Sequence, residues 1–198
     1  MSLRPAIAIL LEPPRLGAVK PRLTGDVGPH HALRLYRVLA ARTLAAVRAL
    51  DLPAVIWFTP AEAQPEMRHW LGPGWELRPQ ASGALGARIA AAAHGVEPGA
   101  PWIMVLSESL GLAPEILGAA VDALIDHPAV LGPAQDGGCY LIGARRPMPG
   151  LAAEVRDAIA PLPALRRALD RLAPEWHQLP EIRTIETGAD ARAAGLIA

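Results

Sequence analysis

Apolar and polar positions form two alternating patterns along this chain: short apolar runs, and longer stretches with apolar residues at helical spacing. Runs with strand character, bounded by Pro and Gly, predict strands at 6–11, 54–59, 75–78 and 102–106. Helical spacing predicts helices at 32–50, 61–71 and 83–94, and one that begins near residue 113. A strand–helix order repeated four times predicts an α/β fold, with a mostly parallel sheet covered by helices on both faces.

The pattern is weaker at two places. Residues 12–28 are rich in Pro and Gly and predict a long loop after the first strand. Beyond Pro149 we expect a helix at 163–172, a strand at 176–179 and a terminal helix at 188–195. Because no internal repeat or linker interrupts the chain, residues 1–198 are expected to form a single domain.

Residues 130–143 contain two apolar runs separated by a Pro- and Gly-containing segment, which predicts a β-turn-β unit with antiparallel character. Asp136 precedes Gly137 and Gly138, whose backbones can adopt positive φ or approach a ligand closely. Two interpretations stay open. Asp136 caps its own tight turn, or it faces a bound ligand.

Composition narrows the function. The 198 residues carry 19 basic and 19 acidic side chains, with no basic run and 4% aromatic residues, which argues against a nucleic-acid surface. No apolar run reaches the roughly 18 residues that a membrane span needs. Cys139 is the only cysteine, so an internal disulfide is excluded and the thiol is expected to pack as a small hydrophobe. We expect a cytoplasmic protein.

Ligands of such sheets bind beyond the carboxyl ends of the strands, so the loop after the first strand is of interest. It contains Gly17, Lys20 and Arg22. Two cations two residues apart lie on one side of an extended segment and suit a phosphate group. A solvated basic loop is the alternative. The loop matches neither a Walker motif nor the three-glycine dinucleotide fingerprint.

Three segments, which are Pro14–Leu23, Gln80–Ile89 and Leu131–Gly143, resemble one family. The third reads Leu-Gly-Pro-Ala-Gln-Asp-Gly-Gly-Cys-Tyr-Leu-Ile-Gly. The chain resembles bacterial proteins with a GT-A-type nucleotide-diphospho-sugar transferase fold, described as selenodomain-associated transferases or glycosyltransferase-like proteins of unknown function. These are similar to guanylyltransferases of the phospholactate and molybdopterin type.

The resemblance implies a three-layer α/β/α architecture and a nucleotide or nucleotide-sugar partner. It implies catalytic roles for Lys20, Arg22 and Asp136. The residues it implies for substrate binding are Gly17, Lys20, Arg22, Gln80, Gly83, Arg88, Gly137 and Gly138.

The resemblance also implies a divalent metal, Mg²⁺ or Mn²⁺, held by acidic residues. The matching positions here are Glu108 and Glu186, where the family usually has aspartate. Ala84 and Ala87 replace acidic residues of the middle segment, and Leu110 replaces a proline. A Trp-Ser/Thr motif expected after residue 150 is missing.

Two functions therefore remain open at this point. The first is a transferase that uses a nucleotide-activated donor, with glycosyl or nucleotidyl transfer undecided. The second is a catalytically degenerate relative that binds a nucleotide or another ligand, or acts as a scaffold, without transferring anything. A homodimer is compatible with either function.

Overall fold

The computed structural model describes residues 4–95, 99–106, 109–148, 150–155 and 161–197. Within them, seven strands form one mixed sheet. The strands are β1 (Ala6–Leu11), β2 (Ala54–Phe58), β3 (Glu76–Pro79), β4 (Trp102–Leu106), β5 (Ala129–Pro133), β6 (Cys139–Ala144) and β7 (His177–Gln178). All four strands predicted before residue 110 are present, with ends shifted by no more than one residue.

The sheet has the order β3-β2-β1-β4-β6-β5-β7. The pairs β1–β2, β1–β4, β2–β3 and β5–β7 are parallel, whereas β6 is antiparallel to both β4 and β5. The predicted antiparallel unit is confirmed, and β6 lies inside the sheet rather than at its edge. The carboxyl ends of β1 and β4 therefore meet the beginning of β6 at one edge of the sheet.

Helices cover both faces, as predicted. They are α1 (Pro21–Val27), α2 (Pro29–Ala49), α3 (Gln64–Leu71, preceded by a 3-10 turn at Ala61–Ala63), α4 (Leu85–His94), α5 (Pro114–Asp126), α6 (Leu151–Glu154), α7 (Leu162–Leu172) and α8 (Gly188–Ala193). No helix in the described parts of the chain is both long and apolar enough to cross a membrane.

Side-chain alternation along β1 divides the core into two layers. Ile7 and Ile9 pack with α2, α3 and α5 on one face, and Ala8 and Leu10 pack with α4, α6 and α7 on the other. A side-chain period of two along a strand covered on both faces produces this arrangement. A third cluster joins α1, α2 and α8 through the buried residues Leu23, Leu39 and Ala191, and it includes Ile185 just before α8.

The prediction of an uninterrupted loop over residues 12–28 was wrong in its second half, where α1 forms. Pro21 occupies the first turn of α1, where a proline costs no hydrogen bond, and Leu23 is fully buried. A seven-residue helix with one fully buried apolar side chain is too short to show an apolar periodicity in the sequence. Most of its stability comes from packing against α2 and α8.

Candidate functional site

A cavity of about 520 Å³ opens at the edge of the sheet where β1 and β4 end and β6 begins. This is where ligands of open α/β sheets bind. Seven of the predicted site residues line the cavity: Lys20, Arg22, Gln80, Arg88, Asp136, Gly138 and Glu186. Gly17, Gly83 and Gly137 are not among the lining residues. Glu108 lies outside the described residues.

Lys20 lies at the start of α1 with its backbone in the left-handed region, at φ 49° and ψ 64°. Its ammonium Nζ donates to the backbone oxygen of Ile185 at 2.7 Å and to Oε1 of Glu186 at 2.6 Å. The Lys20 side chain has no exposed surface. The ammonium is thus an internal charge of the protein as well as part of the cavity wall.

Glu186 joins Lys20 to the second predicted cation. Its Oε2 lies 3.5 Å from a terminal guanidinium nitrogen of Arg22, and its side chain is 14% exposed. The Arg22 side chain is 67% exposed, so this contact is the weaker of the two. The two cations therefore do not point apart into solvent, because both approach one carboxylate.

The segment that carries Glu186 is fixed by hydrogen bonds around α8. Asp190 accepts from the backbone nitrogens of Glu186 at 3.1 Å and Thr187 at 2.8 Å, which forms a capping box with Thr187. Asp26 of α1 accepts from the backbone nitrogen of Gly188 at 2.7 Å. Partial burial raises the pKa of Asp190, but the hydrogen bonds from Thr187 and Glu186 and the charge of Arg22 lower it below its usual value overall.

The loop of Asp136 has an internal hydrogen bond and lies at the cavity. The backbone nitrogen of Gly138 donates to Oδ1 of Asp136 at 2.9 Å, and Gly137 adopts a φ of +85°. Asp136 therefore caps its own turn, and the same residue also lines the cavity. The two interpretations of Asp136 are compatible.

Packing explains why residues 131–143 contain a glycine at position 132 and a tyrosine at position 140. A Cβ on Gly132 would overlap the ring of Tyr140, so only glycine leaves space for that ring. The hydroxyl of Tyr140 donates to the backbone oxygen of Pro180 at 3.0 Å. The backbone nitrogen of Gln135 donates to the oxygen of Ile182 at 3.1 Å. These bonds hold the C-terminal segment, and with it Glu186, beside the loop of Asp136.

Gln80 and Arg88 line the cavity together. Nε2 of Gln80 donates to the backbone oxygen of Trp57 at 2.9 Å, which leaves Oε1 to accept from Arg88 at 3.3 Å. Nε of Arg88 is buried and has no partner among the described residues. Glu12 is at the cavity wall, where burial raises its pKa while the charges of Arg88 and Lys20 oppose the rise. This part of the cavity holds a guanidinium with unused hydrogen-bonding capacity.

The lining residues that were not predicted from the sequence include three that carry a hydroxyl group: Tyr36, Ser109 and Thr184. The hydroxyl of Tyr36 donates to the backbone oxygen of Glu12 at 2.7 Å and accepts from its nitrogen at 2.9 Å, so it fixes the end of β1. Ser109 is 1% exposed, and its hydroxyl has no partner among the described residues. Tyr36 could have been identified from the sequence, because a tyrosine on the apolar face of a helix places a buried hydroxyl that needs a hydrogen-bond partner.

The described residues alone do not fit a divalent metal. No group of three or more His, Cys, Asp or Glu side chains within the described ranges is arranged to hold an ion. Glu186, the predicted ligand that the structure describes, has both oxygens facing cations. Magnesium requires near-ideal oxygen geometry, and two cations at the same carboxylate oppose a third. The metal site at Glu108 and Glu186 stays a prediction.

Solved structures identify the class of fold. The chain is similar to a candidate nucleotide-diphospho-sugar transferase from Desulfovibrio desulfuricans G20, with 28% identity and a TM-score of 0.81 over 98% of this chain and 87% of that one. It also resembles a 4-diphosphocytidyl-2C-methyl-D-erythritol synthase from Anaerococcus prevotii DSM 20548, with 12% identity and a TM-score of 0.61 over 96% of both chains.

A third similar structure is the inositol-1-phosphate CTP transferase of T. maritima, at 11% identity and a TM-score of 0.59, over 96% of this chain and 95% of that one. The fold is therefore that of the nucleotide-diphospho-sugar transferases, a mixed sheet of GT-A type between helical layers.

The family follows from the sequence match. Residues 42–156, which are more than half of the chain, match the model of the uncharacterized proteins conserved in bacteria called DUF2064, and the chain belongs to that family. A search of curated proteins finds no match.

Proposed function

We propose that this protein is a transferase that acts on a nucleotide-activated donor bound in the cavity at the carboxyl edge of the sheet. One observation carries the proposal. Residues from three distant segments, around Lys20, Arg88 and Asp136, line one cavity of about 520 Å³. The fold shared with nucleotide-diphospho-sugar transferases supports this choice of ligand.

In this proposal Arg22 makes the first contact with the phosphates. It is the more exposed of the two cations, and its planar guanidinium can donate two parallel hydrogen bonds to one phosphate group. Lys20 adds a fixed positive charge deeper in the wall. Charge that develops on the leaving phosphate oxygen would be stabilised by these two groups.

The other lining residues hold the rest of the donor or the acceptor. Asp136 carries a carboxylate beside the Gly137–Gly138 turn, where it can accept from a sugar hydroxyl. Gln80 and Arg88 offer an amide and a guanidinium. A glycosyl transfer releases a nucleoside phosphate, whereas a nucleotidyl transfer releases pyrophosphate, so the product identifies the reaction.

Ligand-induced thermal stabilisation tests the proposal. The protein is heated with GTP, CTP, UTP or UDP-sugars, with and without Mn²⁺, and compared with Arg22→Met and with Arg42→Met. Arg42 is exposed on α2, outside the cavity. A ligand at about 100 times its Kd stabilises by ~2.7 kcal/mol and raises Tm by roughly 5–10 °C in a chain of this size.

We expect one of these ligands to stabilise the wild type and Arg42→Met, and to stabilise Arg22→Met less. No stabilisation of the folded wild type by any of them would overturn the proposal.

A second candidate is a nucleotide-binding protein without transferase activity. It is favoured by the alanines at positions 84 and 87 and by the pairing of Glu186 with two cations. It predicts nucleotide binding that Mn²⁺ leaves unchanged, with no released product. Measurable turnover with any donor would exclude it.

A further inference from the structure

We propose that Glu186 is an internal counter-anion, which pairs with Lys20 and Arg22 in the free protein and is displaced by the phosphates of a ligand. The inference rests on the proposed function, because it requires an anionic ligand at these two cations. In this arrangement Glu186 opposes the binding of anions, and it thereby sets how much negative charge a ligand must carry.

The first step is the position of the Lys20 ammonium. Nζ has no exposed surface, and it donates to Oε1 of Glu186 at 2.6 Å and to the backbone oxygen of Ile185 at 2.7 Å. In this arrangement the Glu186 carboxylate occupies a position at Nζ that a phosphate oxygen would take. The observed arrangement is therefore a closed form of the cation pair.

The second step is that the backbone at Glu186 is held independently of its side chain. Its backbone nitrogen is held by Asp190, and the contact of Lys20 with the oxygen of Ile185 does not involve the Glu186 side chain. The carboxylate lines the cavity and is 14% exposed. A rotation of this side chain would remove the Glu186 carboxylate from Nζ while the backbone hydrogen bonds of the segment stay in place.

The third step concerns charge. A carboxylate carries one negative charge, and a ligand that replaces it must interact more strongly with the same two cations. A diphosphate or triphosphate carries more charge and more acceptor oxygens than a monophosphate. Displacement of Glu186 therefore favours polyphosphates and rejects singly charged anions.

The test is calorimetric titration of inorganic pyrophosphate into the wild type, Glu186→Gln and Glu181→Gln, in the presence of EDTA. Glutamine keeps the length of the side chain and one oxygen for Lys20, so the fold is expected to persist. Glu181 is exposed, five residues earlier in the same segment, and outside the cavity. Its substitution removes the same charge and is the matched control.

We expect Glu186→Gln to bind pyrophosphate roughly tenfold more tightly than the wild type, because close charge pairs couple by at least this much. Glu181→Gln is expected to match the wild type. Monophosphate affinity should rise in Glu186→Gln as well, which narrows the preference for pyrophosphate.

Two results would overturn the inference. One is equal or weaker pyrophosphate binding by Glu186→Gln in EDTA. The other is weaker binding by this variant that appears only when Mn²⁺ is added, which would make Glu186 a metal ligand. If the wild type is stabilised by a nucleotide while Glu186→Gln gains nothing, this inference alone fails. If no form binds any phosphate, the proposed function fails with it.

Discussion

The cavity has two cationic ends that differ in how their charges are used. The Lys20 end consists of Lys20, Arg22 and Glu186, and its ammonium is buried in an ion pair. The Arg88 end consists of Gln80 and Arg88, and its guanidinium has one bond of 3.3 Å to Gln80 and a buried Nε without a described partner. Lys20 is thus paired inside the folded structure, whereas the Arg88 guanidinium retains unused hydrogen-bonding capacity.

This difference leads to a general point about charged cavities. A buried charge that is already paired contributes to stability and to ligand binding at once, and its removal damages both. A partly satisfied guanidinium contributes mainly to binding, because the folded protein already lacks some of its hydrogen bonds. Substitutions at the two ends should therefore separate stability from affinity.

The largest effect is expected for Lys20→Met. Removal of the ammonium leaves Glu186 and the oxygen of Ile185 without their buried donor, and Arg22 compensates only from the solvent side. Breaking a buried pair costs ~3–5 kcal/mol, and the remaining contact with Arg22 reduces this to ~2–3 kcal/mol. Urea unfolding followed by circular dichroism measures the loss.

Arg22→Met is the matched control for that experiment. It removes a cation from the same carboxylate, but from a side chain that is 67% exposed. Exposed ion pairs contribute less than ~1 kcal/mol. Equal destabilisation by both variants would show that the buried ammonium of Lys20 stabilises the fold no more than the exposed guanidinium of Arg22 does.

The opposite result is expected for Arg88→Met. Nucleotide affinity should fall roughly tenfold, because a lost hydrogen bond to a charged group costs ~1.5 kcal/mol. Stability should change little, since the substitution also removes a buried Nε that has no described partner. Calorimetric titration of the nucleotide that binds most tightly measures the affinity, and urea unfolding measures the free energy of unfolding.

Arg88→Lys sharpens this prediction. Lysine keeps the charge and loses the planar set of donors, so affinity should recover only in part. A variant that loses stability together with its affinity would place Arg88 in the same class as Lys20 and remove the distinction between the two ends.

How much of this could be anticipated differs between the fold and the site. The strand at 6–11 and the helix around Leu35 and Leu39 follow from apolar spacing, because the strand is an apolar run buried on both faces and the helix buries one apolar face. The turn at Asp136 follows from its paired glycines. Local pattern determines each of these elements, so the sequence alone predicts them.

The pairing of Lys20 with Glu186 has no local signal. The two residues are 166 positions apart, and they meet because α1, α2 and α8 share a cluster that contains Leu23 and Ile185. The family resemblance implies that both residues belong to the site, but it implies phosphate binding for Lys20 and metal binding for Glu186. Contact between distant segments depends on packing, which periodicity does not report.

A smaller effect is expected for Asp190→Asn, which weakens the support of Glu186. Asp190 forms the capping box of α8, whose loss costs ~1 kcal/mol at pH 7. The pKa of Asp190 is lowered in the folded protein, so its ionised form stabilises the fold above the ordinary carboxyl pKa. That contribution is lost as the pH falls through the lowered value.

Urea unfolding at pH 7, 5 and 3 measures this dependence. The difference between the wild type and Asp190→Asn should narrow as the solution becomes acidic. Asp122→Asn, on the exposed face of α5, removes the same charge away from the cavity and should change stability by less than ~0.5 kcal/mol. A difference that widens in acid would contradict the role given to the ionised carboxylate.

The smallest effect is expected at the cavity wall beside Asp136, where Cys139 lies. Burial raises the pKa of its thiol to about 12, and the charge of Asp136 adds to the rise. The thiolate is the reactive form, so the native protein at pH 8 should react very slowly with a thiol reagent such as DTNB, and unfolding in urea should release one reactive thiol per chain. Glu186→Gln should leave this rate unchanged, because the slow reaction arises from burial and not from the Lys20 end. Rapid stoichiometric labelling of the folded protein would instead indicate an activated thiol in the cavity and add a third chemical group to the comparison of its two ends.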